Sequence, residues 1–316
     1  MQMISNLASI ALLALQAGNA PPITSIAFTP DGQAIVTGSQ SGVEVRSWPD
    51  LTHLHDLETT LANVHDIAFS PSGDLLAVCG GEPGVQGQTE FYEWPKRKRI
   101  HVWKGHDDLV YSVAWSSNSH LLTAASADRQ VSLNNITQSN DSYVIKSKMF
   151  LDGHSRSVTA VTILPNDSFI LSAGIDQSLR LRRASDGKLL RTLDQHTAAV
   201  NALAVRPKTD PTRPMVASAS TDRTIRLWQP TIGRLVRFAK LPVEPLAIAW
   251  TPSGDRLLAA CQDGKLRVVD PDTVEIIAEH SAIDGWAYSL ASSPSGKHAL
   301  VGGAGGQLKV IVLTAE

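Results

Sequence analysis

The chain has little cysteine: only Cys79 and Cys261 in 316 residues. Two thiols cannot form a disulfide framework, so burial has to hold this fold together. Aromatic residues make up 5% of the chain and the net charge is −2. That combination argues against a stacking surface for single-stranded nucleic acid and against bulk attraction to a polyanion or an anionic membrane. The one dense basic run, Lys96-Arg97-Lys98-Arg99, falls between Trp94-Pro95 and the strand-like Ile100-His101-Val102-Trp103, where it reads as a solvated hairpin tip. No apolar run approaches the roughly 20 residues of a membrane-spanning helix. His53-Leu54-His55 puts two rings on one strand face, but no third ligand stands nearby, so no metal is expected. A phosphate-cradling glycine loop with its lysine and a nucleophile elbow are both missing, and no cofactor is expected. The triplets at Asn135, Asn140 and Asn166 are glycosylation acceptors only if the protein is exported.

What is present is a rhythm, clearest over residues 193–228. Val200-Asn201-Ala202-Leu203-Ala204-Val205, Met215-Val216-Ala217-Ser218-Ala219-Ser220 and Thr224-Ile225-Arg226-Leu227-Trp228 are short apolar-alternating runs. Pro, Asp and Ser separate them, as an antiparallel meander requires. Four polar or aromatic residues sit where they can satisfy one another: His196 before the first strand, Ser218 on the second, Asp222 in the following turn and Trp228 closing the third. This pattern resembles a WD40 repeat, and the resemblance implies that the four residues hold one propeller blade together and are not catalytic.

The pattern recurs along the chain. The first apolar residue of the inner strand falls at Ile23, Val64, Val110, Val158, Val200, Pro245 and Ala287, at intervals of 41, 46, 48, 42, 45 and 42 residues. Seven residues after each comes a proline, or Ser117 in the third case. Thr29-Pro30-Asp31-Gly32, Ser70-Pro71-Ser72-Gly73, Thr251-Pro252-Ser253-Gly254 and Ser293-Pro294-Ser295-Gly296 supply the turn chemistry. These landmarks predict an all-β fold over residues 1–316: one domain, a seven-bladed propeller of four-stranded antiparallel blades. The chain ends on the third strand of the last blade, so residues 9–16 are expected to supply its fourth strand and close the ring. The alternative for this segment is a cleaved export signal, since Leu7–Leu15 is apolar and Gly18-Asn19-Ala20 is small, although no Lys or Arg precedes it. Cys79 and Cys261 fall on well-separated blades, too far apart to be bridged, which fits a reducing, cytoplasmic setting.

Only blade 5 carries the whole polar set. Blade 4 has His154, Ser172 and Asp176 with Arg182 in the tryptophan place, and blade 3 has His106 and Asp128 with Ala124 and Asn134 in the other two. Blade 6 keeps only Asp263. Because a half-satisfied buried network is costly, the missing members are expected to be replaced together by apolar packing.

For function, the inner-strand cores contain only His65 and Asp66 as ionisable residues, too few for convergent acid–base or metal chemistry, so no catalysis is expected. A channel enzyme or small-ligand propeller built on that pair is the alternative. The residues flanking each landmark are mostly small or polar. Leu246, Trp286 and Tyr288 are exceptions on blades 6 and 7, rimmed by Glu244, Asp284 and Arg223, and Leu109 with Tyr111 form a second spot on blade 3. Aromatic and aliphatic anchors inside a charged rim compose a protein-binding hot spot. The expected partners are therefore proteins or peptides, not nucleic acid or membrane, bound by a monomeric ring within a complex. The glycine-rich stretch Gly80–Gln88 of blade 2 is expected to be a mobile recognition loop on the same face.

Overall fold

The computed structural model describes residues 20–139 and 142–313. It is a seven-bladed β-propeller, with six four-stranded antiparallel sheets and a seventh sheet of three described strands. Blade 5 shows the plan: inner strand Val200–Val205, then Val216–Ser220, Thr224–Gln229 and outer strand Arg234–Lys240, paired in sequence order. The blade 7 sheet contains Ala287–Ser292, His298–Gly303 and Leu308–Val312. The closing strand expected at 9–16 lies outside the described residues. Between blades 7 and 1 the ring is joined at its inner strands, where the Ile23 N–H donates to the Gly303 carbonyl at 3.1 Å and the Ser289 hydroxyl donates to the Ile23 carbonyl at 3.0 Å.

Hydrophobic cores lie between blades as well as within them, because each sheet is apolar on both faces. Val36, Val43 and Val45 of blade 1 pack with Ile67, Leu76 and Val78 of blade 2. Two inner-strand tryptophans tie neighbouring sheets by their indole N–H groups: Trp115 donates to the Ala68 carbonyl at 3.0 Å and Trp250 to the Ala204 carbonyl at 3.1 Å. The turn after each inner strand needs one left-handed residue, and Gly32, Gly73, Gly254 and Gly296 supply it at φ 68–80°.

The polar networks depart from the sequence expectation. In blade 5, His196 Nδ1 lies 2.7 Å from Asp222, its Nε2 lies 2.7 Å from the Ser218 hydroxyl, and Trp228 Nε1–H donates to that hydroxyl at 2.8 Å. Blade 4 keeps the first two contacts, at 2.9 and 2.8 Å, while Arg182 donates to the Gly187 carbonyl at 2.8 Å and to that of Asp152. Where members are missing, other polar groups take over, so the expected apolar replacement is incorrect for blades 2, 3 and 6. In blade 3 the serine has moved to the next strand: His106 Nε2 meets Ser132 at 3.1 Å, directly across the ladder from Ala124, and Nδ1 meets Asp128 at 2.7 Å. Blade 2 has Thr60 in the histidine place and Tyr92 in the tryptophan place. Both donate to the fully buried Glu90, Thr60 at 2.6 Å and Tyr92 at 2.5 Å, and Arg99 adds an ion pair at 3.1 Å. In blade 6 the 2%-exposed Arg267 makes a bidentate pair with Asp263 at 2.9 and 2.7 Å and a further contact to Glu279 at 3.0 Å. A buried blade junction exposes backbone and side-chain polar atoms whatever the sequence, and they are satisfied by whichever residues lie within reach.

The glycine-rich stretch of blade 2 also differs from expectation. It is an extended hairpin, not a loop: Leu75–Glu82 pairs with Gln86–Glu93 up to Glu82 opposite Gln86, leaving three residues in the turn. Gly80, Gly81 and Gly87 serve close packing, whereas Gly84 supplies the left-handed residue of the turn with open space around it. A Cβ on Gly80 would sit 1.7 Å from the Asn63 carbonyl oxygen, and the tip is pinned by the Gly84 N–H donating to Asp108 at 2.9 Å.

Candidate functional site

The site is built by a repeated irregularity. In blades 2 to 7 the pairing of the first two strands skips the residue after the landmark, as where Val200 opposes Ser220 but Ala202 opposes Ala219. The skipped residue is the extra member of a β-bulge, and a bulge re-aims a side chain. Here it turns each one into the mouth of the central channel.

A bulge leaves the landmark carbonyl without its ladder partner, and several of these are satisfied by the preceding blade. The Thr24 hydroxyl donates to the Val64 carbonyl at 2.5 Å, Thr159 to that of Val200, and the Asn201 amide to that of Pro245 at 3.0 Å. The Cys79 thiol serves the Val110 carbonyl at 3.5 Å. Small polar residues on blades 1, 4 and 5 are thus committed to sealing the ring. The remaining channel-mouth residues, His65, Tyr111, Leu246 and Tyr288, make no such bond; they face a cavity of about 160 Å³ that is also lined by Thr24, Thr159, Asn201, Thr221, Glu244 and Trp286. That is room for about five waters.

Of the residues singled out in the sequence, Glu244, Leu246, Trp286, Tyr288 and Tyr111 line this one cavity, joining what looked like two separate spots. Leu109 does not: it is 7% exposed and buried beside the bulge. The expectation that Leu109 and Tyr111 form a shared surface is incorrect: Leu109 is buried while Tyr111 lines the cavity, although the pairs at the same offsets on blades 6 and 7, Glu244 with Leu246 and Trp286 with Tyr288, both line it. The rings pair tilted or edge to face: Trp286 and Tyr288 with centroids 5.9 Å apart, His65 and Tyr111 with centroids 5.2 Å apart.

The electrostatics follow from burial. Desolvation lowers the His65 pKa to about 4, so the ring is neutral at pH 7, and its shielded Nε2 has no hydrogen-bond partner. One level deeper, burial raises the Asp66 carboxyl to about 6 against the opposing effect of its hydrogen bonds. Those bonds come from the N–H groups of Val113 at 3.0 Å and Ile67 at 2.9 Å and from the Ser25 hydroxyl at 3.3 Å, so Asp66 ties three blades together. Glu244 is raised by desolvation, with nearby Arg223 opposing, and its carboxylate accepts no hydrogen bond among the described residues. No hydrogen bond joins His65 to Asp66, and among the described residues no three His, Cys, Asp or Glu side chains group as a metal site.

The fold and this mouth define a closed propeller with a recessed cavity on one face, part aromatic and part polar. The WD domain, G-beta repeat model matches residues 12–43, 52–82, 97–134, 145–182, 187–229 and 242–270, and the chain belongs to that family. It is 24% identical to the mouse Periodic tryptophan protein 2 homolog over 89% of this chain and 36% of that protein. It is 26% identical to Nuclear distribution protein PAC1 of Coccidioides posadasii over 79% of this chain and 57% of that protein. It is also 28% identical to THO complex subunit 3 of Arabidopsis thaliana over 66% of this chain and 64% of that protein. The chain therefore spans well under two thirds of the length of the first two relatives. No helix among the described residues is long and apolar enough to cross a membrane.

Proposed function

We propose that this protein is a non-catalytic scaffold that binds partner proteins or peptides on the cavity-bearing face of its propeller. One observation carries the reading: the channel mouth gathers Leu246, Trp286, Tyr288 and Tyr111 in one recess, with Glu244 at its edge. Large, half-buried anchors on a rigid frame are the anatomy of a binding hot spot, and a closed ring loses little conformational entropy when a partner docks. The non-catalytic reading is supported by the ionisable inner-strand pair, His65 and Asp66. Asp66 is engaged by backbone N–H groups and His65 contacts an aromatic ring, so neither is poised as an acid–base pair. The relative named THO complex subunit 3 belongs, by that name, to an assembly, which agrees with a subunit role for this ring. Two buried unpaired thiols agree with a cytoplasmic setting.

The test is co-purification from the native source with wild type and a Leu246→Ala/Trp286→Ala/Tyr288→Ala variant that keeps its far-UV spectrum and melting temperature. Specific partners should be lost with the variant. Retention of every partner would remove the cavity face from the binding surface.

A further inference from the structure

The cavity is not a neutral apolar slot. Its aromatic wall comprises Trp286, Tyr288 and Tyr111, facing the neutral polar Thr24, Thr159, Asn201 and Thr221, and its one charged lining group among the described residues is Glu244, whose carboxylate is partly stripped of water and receives no hydrogen bond among them. Beneath them lies the carboxyl of Asp66. The His65 ring is neutral at pH 7, so it adds no positive charge to the lining. The cation bearing on Glu244 is Arg223, which is exposed and forms no ion pair within 4.0 Å among the described residues. Aromatic faces and an unsatisfied carboxylate are complementary to one kind of group, a cation carrying several N–H donors.

We infer that the channel mouth is a subsite for a single cationic side chain, arginine or lysine, presented by the partner, with Glu244 as counter-ion and Trp286, Tyr288 and Tyr111 as the aromatic wall. This rests on the cavity face being the partner-binding surface and adds the chemistry it selects. A guanidinium fits the site best, since its planar fork can pair with the Glu244 carboxylate while its face stacks on a ring. An acidic side chain would meet Glu244 and be refused. The cavity therefore sets a sign preference that the overall net charge of −2 does not reveal.

The experiment is an NMR titration of the full chain that follows the Trp286 indole N–H signal, assigned by its loss in Trp286→Phe. The probes are Nα-acetyl-arginine amide and its neutral isostere Nα-acetyl-citrulline amide. The arginine probe should shift the signal saturably and bind at least about tenfold tighter than the citrulline probe, and Glu244→Gln should remove about tenfold of that affinity. Equal binding of the two probes, no saturable shift up to tens of millimolar, or an unchanged Glu244→Gln titration each overturns the assignment. Failure here is separable from failure of the scaffold reading. If the triple-alanine variant loses its partners while the probes show no preference for charge, the face binds but the cation subsite is wrong. If that variant keeps its partners, the face itself is wrong.

Discussion

Ser132 is the sharpest test of how the blades are held. Its hydroxyl is fully buried, the His106 it meets is 3% exposed, and Asn134, whose amide reaches the same oxygen at 3.4 Å, is fully buried. Ser132→Ala deletes one oxygen and leaves His106 Nε2 and the Asn134 amide without that partner in a site water does not enter. Each buried group left unpaired costs about 1–3 kcal/mol, and the Asn134 contact is long and counts for less, so the substitution should cost about 2–3 kcal/mol. For a chain of this size that lowers the melting temperature by about 5 °C. The ladder also supplies a rescue. Ala124 pairs directly with Ser132, and the equivalent blade 5 position is Ser218, which bonds His196. Ala124→Ser in the Ser132→Ala background returns a hydroxyl to the same histidine from the neighbouring strand at nearly constant volume. It should recover more than half of the lost stability, read by thermal and urea unfolding of the four proteins of the cycle. A Ser132→Ala melting shift under about 1 °C, or a double variant no more stable than the single, would refute the claim that blade 3 carries a working network.

Two further outcomes follow from buried titrating groups. Burial pushes the Cys261 thiol up to about 11 and the Cys79 thiol well above its ordinary value, so neither should react with iodoacetamide at neutral pH until denaturant is added, with intact mass as the readout; labelling of the native ring would contradict the burial. Asp66 is raised to about 6 from an unfolded value of 3.8, so its folded form holds a proton that the unfolded chain has released. The resulting penalty is absent below the unfolded pKa, grows as pH rises between the two values and is complete above about 6. Asp66→Asn should therefore gain on wild type by roughly 2 kcal/mol between pH 4 and pH 7, with His65 common to both proteins and cancelling. A stability difference that does not change with pH would show Asp66 to be ionised throughout.

The blade count and phase were legible because they rest on strong local constraints: a landmark at a regular interval, a proline seven residues on, and a turn that needs a left-handed residue. The blade 5 network was legible for the same reason, since its four members keep fixed offsets. What escaped was everything set by contact across the ladder. Ser132 stands in for a serine on the neighbouring strand, and no linear spacing marks it. Glu90 is invisible as a network member until Thr60 and Tyr92 are seen to converge on it, although Thr60, four residues before its landmark, keeps the histidine offset and was a usable signal. Leu109 carried no linear sign of its burial, since its counterparts Glu244 and Trp286 do reach the cavity, and Gly80 of blade 2 looks like flexibility until the approach of the Asn63 carbonyl shows why no side chain fits.

The same bulges explain why function concentrates where it does. Each one orphans a carbonyl and aims one side chain inward, so every blade must either spend that side chain on the neighbouring carbonyl or leave it free. Blades 1, 4 and 5 do the former with Thr24, Thr159 and Asn201. Blade 2 delegates the task to Cys79 on its second strand and so releases His65, while blade 7 delegates it to Ser289 and releases Tyr288. The released residues, with Tyr111 and Leu246, fall on blades 2, 3, 6 and 7, and they are the large ones that line the cavity. The division is physical: a short hydroxyl or amide can reach the next blade's carbonyl, whereas an imidazole, a phenol ring or a leucine cannot do so without blocking the mouth. Ring closure and recognition thus draw on the same set of positions, and the residue type at each decides which of the two that blade performs.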